Sequence, residues 1–585
     1  MQEGLPAEIE AKAKEWLQSP YDEETQIEVR HLLEEDLKQC FEAFYSHISF
    51  GTGGIRGVMG AGTNRLNRYT IGMVTQGLAH HILEQSPHRP RFFISYDSRH
   101  HSRSFAEESA RVLAGNGIEV LITKQPYPTP FVSFGCRYHH CSGAIMITAS
   151  HNPPEYNGYK VYGQDGGQVA PPHDAKIMHQ IQLVTHPHQV KKVPLNHPSI
   201  RQVGEEEEKA YHDALFSLQH YPKDNQALGN RLKLVYSPLH GTGMMTVPSG
   251  LRRWGFTSIR YVEKQKNADG DFSYAKIPNP AYPPSLEMGI KQLQESESDL
   301  FLATDPDADR IGAVVIHQNQ PIILSGNQIA VLTAYYLCQT LQATHKTVAN
   351  GAFISTIVTT PLFKRIANSF HYSCFEVLTG FKYIGEKIHQ WEKSRAHTFI
   401  FGAEESFGYL YGTHARDKDA TIMACLLSEM ALQQKKRGKT LVDLLHQIYR
   451  QFGLFHEQQR SISSSSSSQG EERTEKVMSS LRQRPPLSVC GQRVILIQDY
   501  ELGYQTEIDT KRRSALSLPR SNVLSFLLED QSVFILRPSG TEALIKLYGM
   551  IHLEHYDSVE KGLKWCEQLL TDRMDWMEKQ MTLLL

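Results

Sequence analysis

No run of this chain is apolar for long enough to span a bilayer, and Met1 to Pro20 carries Glu8, Glu10, Lys12, Lys14 and Glu15, too many charges for a secretory leader. The expectation is a soluble, cytoplasmic chain with no membrane partner. Cysteine is scarce. Eight residues, at 40, 136, 141, 338, 374, 425, 490 and 566, form no Cys-x-x-Cys pair and no dense framework, which points to a reducing compartment. Charge of one sign is missing as well: 61 basic against 63 acidic side chains give a net −2, so no basic field marks a nucleic-acid binder. A small polar substrate is the better expectation. The glycines at 51, 53, 54 and 57 miss the dinucleotide spacing, which argues against a nicotinamide cofactor. A phosphate loop is missing too, because Gly438-Lys439-Thr440 has Gln433 where the leading glycine belongs.

What the chain does have is length and alternation. At 585 residues it exceeds one core and suggests about four domains. A helical pattern runs from Ala7 to about His47. Strand, helix and strand then follow at Arg91 to Ser95, Phe105 to Ala114 and Glu119 to Thr123, the pattern of a largely parallel α/β sheet. Asp174 to about Asn225 reads as helical and charged, and a fresh strand at Leu232 to Tyr236 opens a second unit. A third begins near Ile322 and contains the strand His397 to Phe401. Ser461 to Ser468, seven serines in eight residues, reads as a flexible connection to a last domain. That domain is expected to end in a helix, Leu563 to Met581, with Trp565, Leu569 and Met574 in its core. The expected boundaries are 1–225, 226–320, 321–453 and 454–585.

Two constellations carry chemistry. The apolar run Ala144 to Ile147 leads into Ser150-His151-Asn152, and Pro153-Pro154 forbid continuation of helix or ladder. Ser150 is therefore a hydroxyl held in a rigid loop at the carboxyl end of a strand, where open α/β sheets bind ligands. It is a candidate nucleophile, with His151 and Lys160 nearby in sequence. The second constellation is Thr304-Asp-Pro-Asp-Ala-Asp-Arg310. In an extended segment Asp305, Asp307 and Asp309 would point to one side and converge on a hard cation, for which magnesium is the natural occupant. A calcium loop of EF-hand type fails here, since its sixth and twelfth positions are Arg310 and Ile316. An aspartate-nucleophile phosphatase stays open as a distant alternative, although Asp309 stands where that family usually has Thr or Val. A metal and a presented serine, with no nucleotide to supply a phosphoryl group, point to a phosphoryl group passed between substrate and the serine itself.

Four segments, Thr148-Ala-Ser-His-Asn-Pro, Asp305-Pro-Asp-Ala-Asp-Arg, Gly402-Ala-Glu-Glu-Ser-Phe-Gly and Arg537-Pro-Ser-Gly-Thr, resemble in order the signatures of the α-D-phosphohexomutase superfamily, over Phe50 to Tyr548. The resemblance implies four domains around a central active-site cleft: three similar α/β domains with mixed, mostly parallel sheets and a smaller C-terminal α+β domain. It implies that Ser150 is a phosphoserine sharing a magnesium ion with Asp305, Asp307 and Asp309, that Arg310 contacts phosphate, and that Lys160 assists proton transfer or stabilises charge. His151 stays in the catalytic set but not as a hydrolase-style partner. Glu404 and Ser406 would hold sugar hydroxyls. Arg56, in the first glycine-rich loop, and Lys382, in Thr379-Gly-Phe-Lys-Tyr383, would bind substrate. Arg537, Ser539, Gly540 and Thr541 would clamp the phosphate that is not being transferred.

The implied reaction interconverts glucose 1-phosphate and glucose 6-phosphate through a bisphosphorylated sugar, which also serves as activator. Phosphopentomutase or phosphomannomutase activity is the alternative, and a catalytically inactive sugar-phosphate-binding homologue a distant one. The Glu404-Glu405-Ser406 loop favours glucose, while the first loop and Thr379 to Tyr383 resemble the phosphopentomutase-like subgroup. A monomer or homodimer is expected. One departure is Ala281, where the family usually has glutamate.

Overall fold

The computed structural model describes residues 5–51, 54–85, 89–463, 469–539 and 544–584. They divide into two compact units. The first comprises Met1–Leu324 with Phe381–Arg395 and Phe407–Lys435; the second comprises Ser325–Gly380, Ala396–Ser406 and Lys436–Leu585.

In the first unit, helices Ala7–Glu15, Glu23–Glu35 and Leu37–Phe44 pack around Trp16, Tyr21, Val29, Cys40 and Phe44. Asp22 starts the second helix by accepting the backbone N–H of Thr25. A seven-stranded sheet follows, in the order Phe50–Gly51, Gly54–Val58, Tyr156–Tyr162, Gly143–Ile147, Arg91–Tyr96, Glu119–Thr123 and Ile200–Val203. Its centre is parallel, but Tyr156–Tyr162 runs antiparallel to Gly143–Ile147. Gly143–Ile147 is buried along its whole length, which explains its unbroken apolar sequence between helix-covered faces. A five-stranded sheet in the order Gln320–Leu324, Ile311–His317, Leu300–Thr304, Leu234–Ser237 and Ile259–Tyr261 completes the unit. Leu300–Thr304 is likewise buried throughout.

The second unit holds three parallel strands in the order Ser373–Val377, Gly351–Thr356 and Thr398–Glu404, beside the helix Gly326–Ala343 with its Ser325/Gln328 capping box. Its C-terminal sheet is antiparallel, in the order Leu454–Ser463, Leu544–Leu553, Val533–Pro538, Leu524–Leu528, Gln492–Asp499, Tyr504–Glu507 and Arg513–Ala515.

Several readings of the sequence change. The stretch expected to be helical from Asp174 contains the edge strand Ile200–Val203, paired in parallel with Glu119–Thr123. Ser461–Ser463 are not part of a flexible connection between domains: they finish Leu454–Ser463, which pairs over ten positions with Leu544–Leu553. The serine run therefore follows the first strand of the C-terminal sheet, and its remainder, 464–468, lies outside the described residues. Gln320–Leu324 forms a hairpin with Ile311–His317, so the second sheet extends past the expected limit at 320. In the terminal helix Val559–Thr582, Met574 is in the core as expected, but Trp565 is 51% exposed, and Cys566 and Leu570 fill the places expected of Trp565 and Leu569. No helix among the described residues is long and apolar enough to cross a membrane.

Candidate active site

Ser150 lies three residues beyond the end of Gly143–Ile147 and is only 1% exposed. Its φ of 55° places it in the left-handed region, where a residue with a Cβ is held only by its surroundings. Part of that constraint is local: Thr148 Oγ1 accepts the Ser150 N–H at 2.7 Å. Ser150 Oγ donates to Asp305 Oδ2 at 2.9 Å and lies 3.1 Å from His151 Nδ1. The first of these contacts joins residues 155 apart in sequence and brings the serine loop onto the acidic motif.

Asp305, Asp307 and Asp309 converge as expected, with oxygens all within 4.8 Å of one another, but the geometry behind the convergence differs. The segment is not extended. It turns immediately after Leu300–Thr304, with Ala308 at φ 46° and its N–H bonded to the Asp305 carbonyl at 2.9 Å. Lys160 Nζ, from Tyr156–Tyr162, donates to Asp307 Oδ2 at 2.6 Å and Asp309 Oδ2 at 3.1 Å. Thr129 Oγ1 donates to Asp307 Oδ2 at 2.6 Å, and Lys418 Nζ lies 3.1 Å from Asp309 Oδ2. The second oxygens, Asp307 Oδ1 and Asp309 Oδ1, are buried and accept no hydrogen bond from the described residues. Such orphaned carboxylate oxygens, beside a third carboxylate, are the donor set a small divalent cation requires.

The charges sort by environment. Burial and the neighbouring Asp307 and Asp309 raise the Asp305 carboxyl well above the usual range. At Asp309 burial pushes the same way, but Lys160, Lys418 and Arg310 outweigh it and hold the carboxyl below its ordinary range. Burial works against the Lys160 charge, yet Asp307 and Asp309 outweigh it and keep the ammonium charged to a higher pH than usual. The Arg310 backbone N–H donates to Asp305 Oδ1 at 3.0 Å and its Nε lies 3.8 Å from Asp309 Oδ1. Arg56, on Gly54–Val58, donates to Asn152 Oδ1 at 2.9 Å. The first unit thus gathers Ser150, His151, Lys160, Arg310, Arg56 and the three aspartates, and it sets several cations against the carboxylates.

Lys382 belongs to the first unit but stands apart from this cluster. Its ammonium is 3.7 Å from Asp174 Oδ2, and it lines a cavity of about 720 Å³ whose walls include Tyr162 and Asp165 but neither Ser150 nor the aspartates. The remaining expected residues lie in the second unit. Glu404 is buried and accepts the Gly380 N–H at 2.9 Å. Glu405 accepts from Thr356 Oγ1 at 3.3 Å, and burial followed by the Glu404 charge pushes its carboxyl up to about 7. Ser406 follows in the same loop. Arg537 pairs across strands with Lys546, and the Ser539 N–H bonds the Leu544 carbonyl. Gly540 and Thr541 lie outside the described residues.

Sequence reasoning passed over several members of the site. Lys418 sits in the run Arg416-Asp417-Lys418-Asp419, which looks like a solvated charged turn, yet all four residues are buried. Tyr162 Oη donates to Asp417 Oδ2 at 2.9 Å, which links Lys160's own strand to this run. The available signal was position: four charges stand directly before Ala420–Lys435, a helix buried nearly all round.

Three family models match the chain in succession. They describe domains I, II and III of phosphoglucomutase/phosphomannomutase, each alpha/beta/alpha, over residues 47–187, 209–318 and 325–452. A phosphoglucomutase of Staphylococcus epidermidis is 36% identical over 529 residues, covering 89% of this chain and 94% of that protein. One of Staphylococcus aureus is 35% identical over 543 residues, covering 92% and 95%. The crystal structure of a phosphoglucomutase/phosphomannomutase family protein from Burkholderia thailandensis superposes with a TM-score of 0.65 at 16% identity, over 92% of this chain and 97% of that one, a likeness of fold.

Proposed function

We propose, for a chain that belongs to the phosphoglucomutase/phosphomannomutase family, that it is a phosphosugar mutase which interconverts glucose 1-phosphate and glucose 6-phosphate through a phosphorylated Ser150. The observation that carries the reading is the contact of Ser150 Oγ with Asp305 Oδ2 at 2.9 Å, in a triad that also presents two orphaned carboxylate oxygens. Asp305, Asp307 and Asp309, with an oxygen of the Ser150 phosphate, would hold a divalent metal, for which we propose magnesium. When bound it supplies positive charge that offsets the transferring phosphoryl group.

The phosphoryl group leaves Ser150 Oγ as its P–O bond breaks, and a new P–O bond forms to a free hydroxyl of the sugar monophosphate, whose proton passes to a base while Ser150 Oγ takes up a proton. A sugar bisphosphate results. After it reorients, its other phosphate returns to Ser150. Arg56 and Arg310 steady the phosphate oxygens, and the pair Lys160 and Lys418 holds charge and protons beside Asp309. His151 Nδ1, 3.1 Å from Ser150 Oγ, orients that oxygen. Lys382, Glu404 and Ser406 are assigned to the sugar and its phosphate, and Arg537, Ser539, Gly540 and Thr541 to the phosphate that stays. The domains are proposed to span 1–225, 226–324, 325–453 and 454–585, the second extended to take in Gln320–Leu324, with the cytoplasm as their compartment.

Phosphopentomutase or phosphomannomutase activity would proceed by the same steps. The test is kcat/KM on glucose 1-phosphate, mannose 1-phosphate and ribose 1-phosphate, each with a catalytic amount of the matching bisphosphate. Preference for glucose 1-phosphate is expected. A clear preference for the pentose replaces the substrate, and turnover of none of the three removes the mutase reading.

A further inference from the structure

The carbonyl oxygens of the Ser150 loop converge on one side chain that no part of the proposed chemistry uses. Arg99 follows the strand Arg91–Tyr96 and is 3% exposed. Its Nη2 donates to the carbonyls of Ser150 at 2.6 Å and Asn152 at 2.5 Å, and its Nη1 to those of Pro153 at 2.7 Å and Tyr156 at 2.9 Å. The guanidinium lies 4.8 Å from the Phe272 ring centroid, in a site closed to water. Behind it, Arg99 Nε is 3.2 Å from Asp97 Oδ2. Asp97 also accepts from Ser102 Oγ at 2.6 Å and from Thr148 Oγ1 at 2.6 Å, and Thr148 Oγ1 in turn accepts the Ser150 N–H. Both backbone groups of Ser150 therefore lead back to the same buried ion pair, the carbonyl through Arg99 and the N–H through Thr148 and Asp97.

A burial-only role does not account for this pattern. Four bonds to one short loop require a planar, five-donor fork, which lysine cannot supply. They fix the loop at the one residue whose left-handed backbone determines where Oγ points. A phosphoryl group on that oxygen adds charge that would swing a looser loop toward solvent.

We propose that Arg99, with Asp97 and Thr148 behind it, is a positioning residue for phosphoryl transfer: it locks Ser150 in the left-handed conformation that aims Oγ at the aspartate triad. This rests on the phosphoserine reading above. Substrate binding does not use the device, so losing it lowers the rate of transfer and leaves KM in place.

The experiment compares wild type with Arg99→Lys, Thr148→Val and the conservative Thr148→Ser. Phosphate uptake from glucose 1,6-bisphosphate in a single turnover is read by intact mass and peptide mapping, alongside kcat and KM on glucose 1-phosphate and the thermal midpoint. Arg99→Lys and Thr148→Val are each expected to slow uptake at Ser150 and kcat by about 100-fold with KM within about threefold, and Thr148→Ser to behave as wild type. Wild-type uptake rates in Arg99→Lys, or in Thr148→Val should the lysine variant not fold, overturn the proposal. So does a Thr148→Ser enzyme as slow as the valine variant. If wild type itself takes no phosphate on Ser150, the phosphoserine reading fails; if it does and the variants keep pace, only the positioning role fails.

Discussion

Replacing Lys160 with methionine separates the two ways the aspartate cluster can be neutralised. The ammonium sits 2.6 Å from Asp307 and 3.1 Å from Asp309, with side-chain exposures of 3%, 0% and 2% for the three groups. Removing one partner of a buried pair costs about 3–5 kcal/mol, because the remaining charge stays buried and uncompensated. With about 2.1 cal/mol/K of unfolding entropy per residue, spread over the roughly 370 residues of the first unit, this lowers the midpoint by about 4–6 °C. A divalent cation supplies charge at the same carboxylates, and a ligand at a hundredfold excess over its Kd returns about 2.7 kcal/mol. Wild type has Lys160 in place and gains less from the metal. Differential scanning calorimetry of both proteins in EDTA and along a magnesium series is the assay. Lys160→Met should melt lower in EDTA and recover most of the deficit with magnesium, while its kcat stays about 10²- to 10⁴-fold below wild type. Equal midpoints in EDTA, or equal gains from magnesium, would refute the view that lysine and metal neutralise the same carboxylates.

Three further outcomes are expected. Glu405 has its carboxyl raised from 4.5 to about 7, so the folded state keeps a proton that the unfolded chain gives up; stability therefore falls as pH rises from about 4.5 to about 7. Glu405→Gln should melt higher than wild type at pH 8 and equal to it near pH 4.5, and the opposite order would contradict the burial argument. Tyr162→Phe removes a buried bond to Asp417 and should cost about 1.5–3 kcal/mol in urea unfolding, whereas a change within about 0.5 kcal/mol, the level of a surface substitution, would mean that the contact is solvated. Exhaustive chelation should abolish turnover and magnesium should restore it; undiminished activity in chelator would leave the triad without its assigned role.

The parts of the site that were legible in the sequence are those whose chemistry is compressed into a few consecutive residues. Asp305, Asp307 and Asp309 announce a cation site because three carboxylates so close together are costly without one. Their convergence, however, comes from a turn set by Ala308 in the left-handed region and not from alternation along a strand. Ser150 was legible because Pro153 and Pro154 rule out regular structure around it. Arg99 and Lys418 were not, since the loop carbonyls that Arg99 holds lie 51 to 57 residues away and the triad carboxylate beside Lys418 more than a hundred, and no local pattern encodes such contacts. The same holds for the fold. Long buried strands such as Gly143–Ile147 stand out as apolar runs, whereas Ile200–Val203, with two exposed residues of four, is an edge strand that only its neighbour defines. Ser461–Ser463 look like linker by composition and become strand because Leu544–Ile545–Lys546 supply the ladder.

In the proposed mechanism, Ser150 carries the phosphoryl group between turnovers. Incubating the protein with magnesium and glucose 1,6-bisphosphate, then locating phosphate by peptide mass mapping, tests it most directly. A single phosphate is expected on Ser150, discharged to glucose monophosphate within one turnover and absent from Ser150→Ala, whose kcat falls by more than about 10³-fold. Phosphate on an aspartate of the triad, or a fully active Ser150→Ala enzyme, would contradict it.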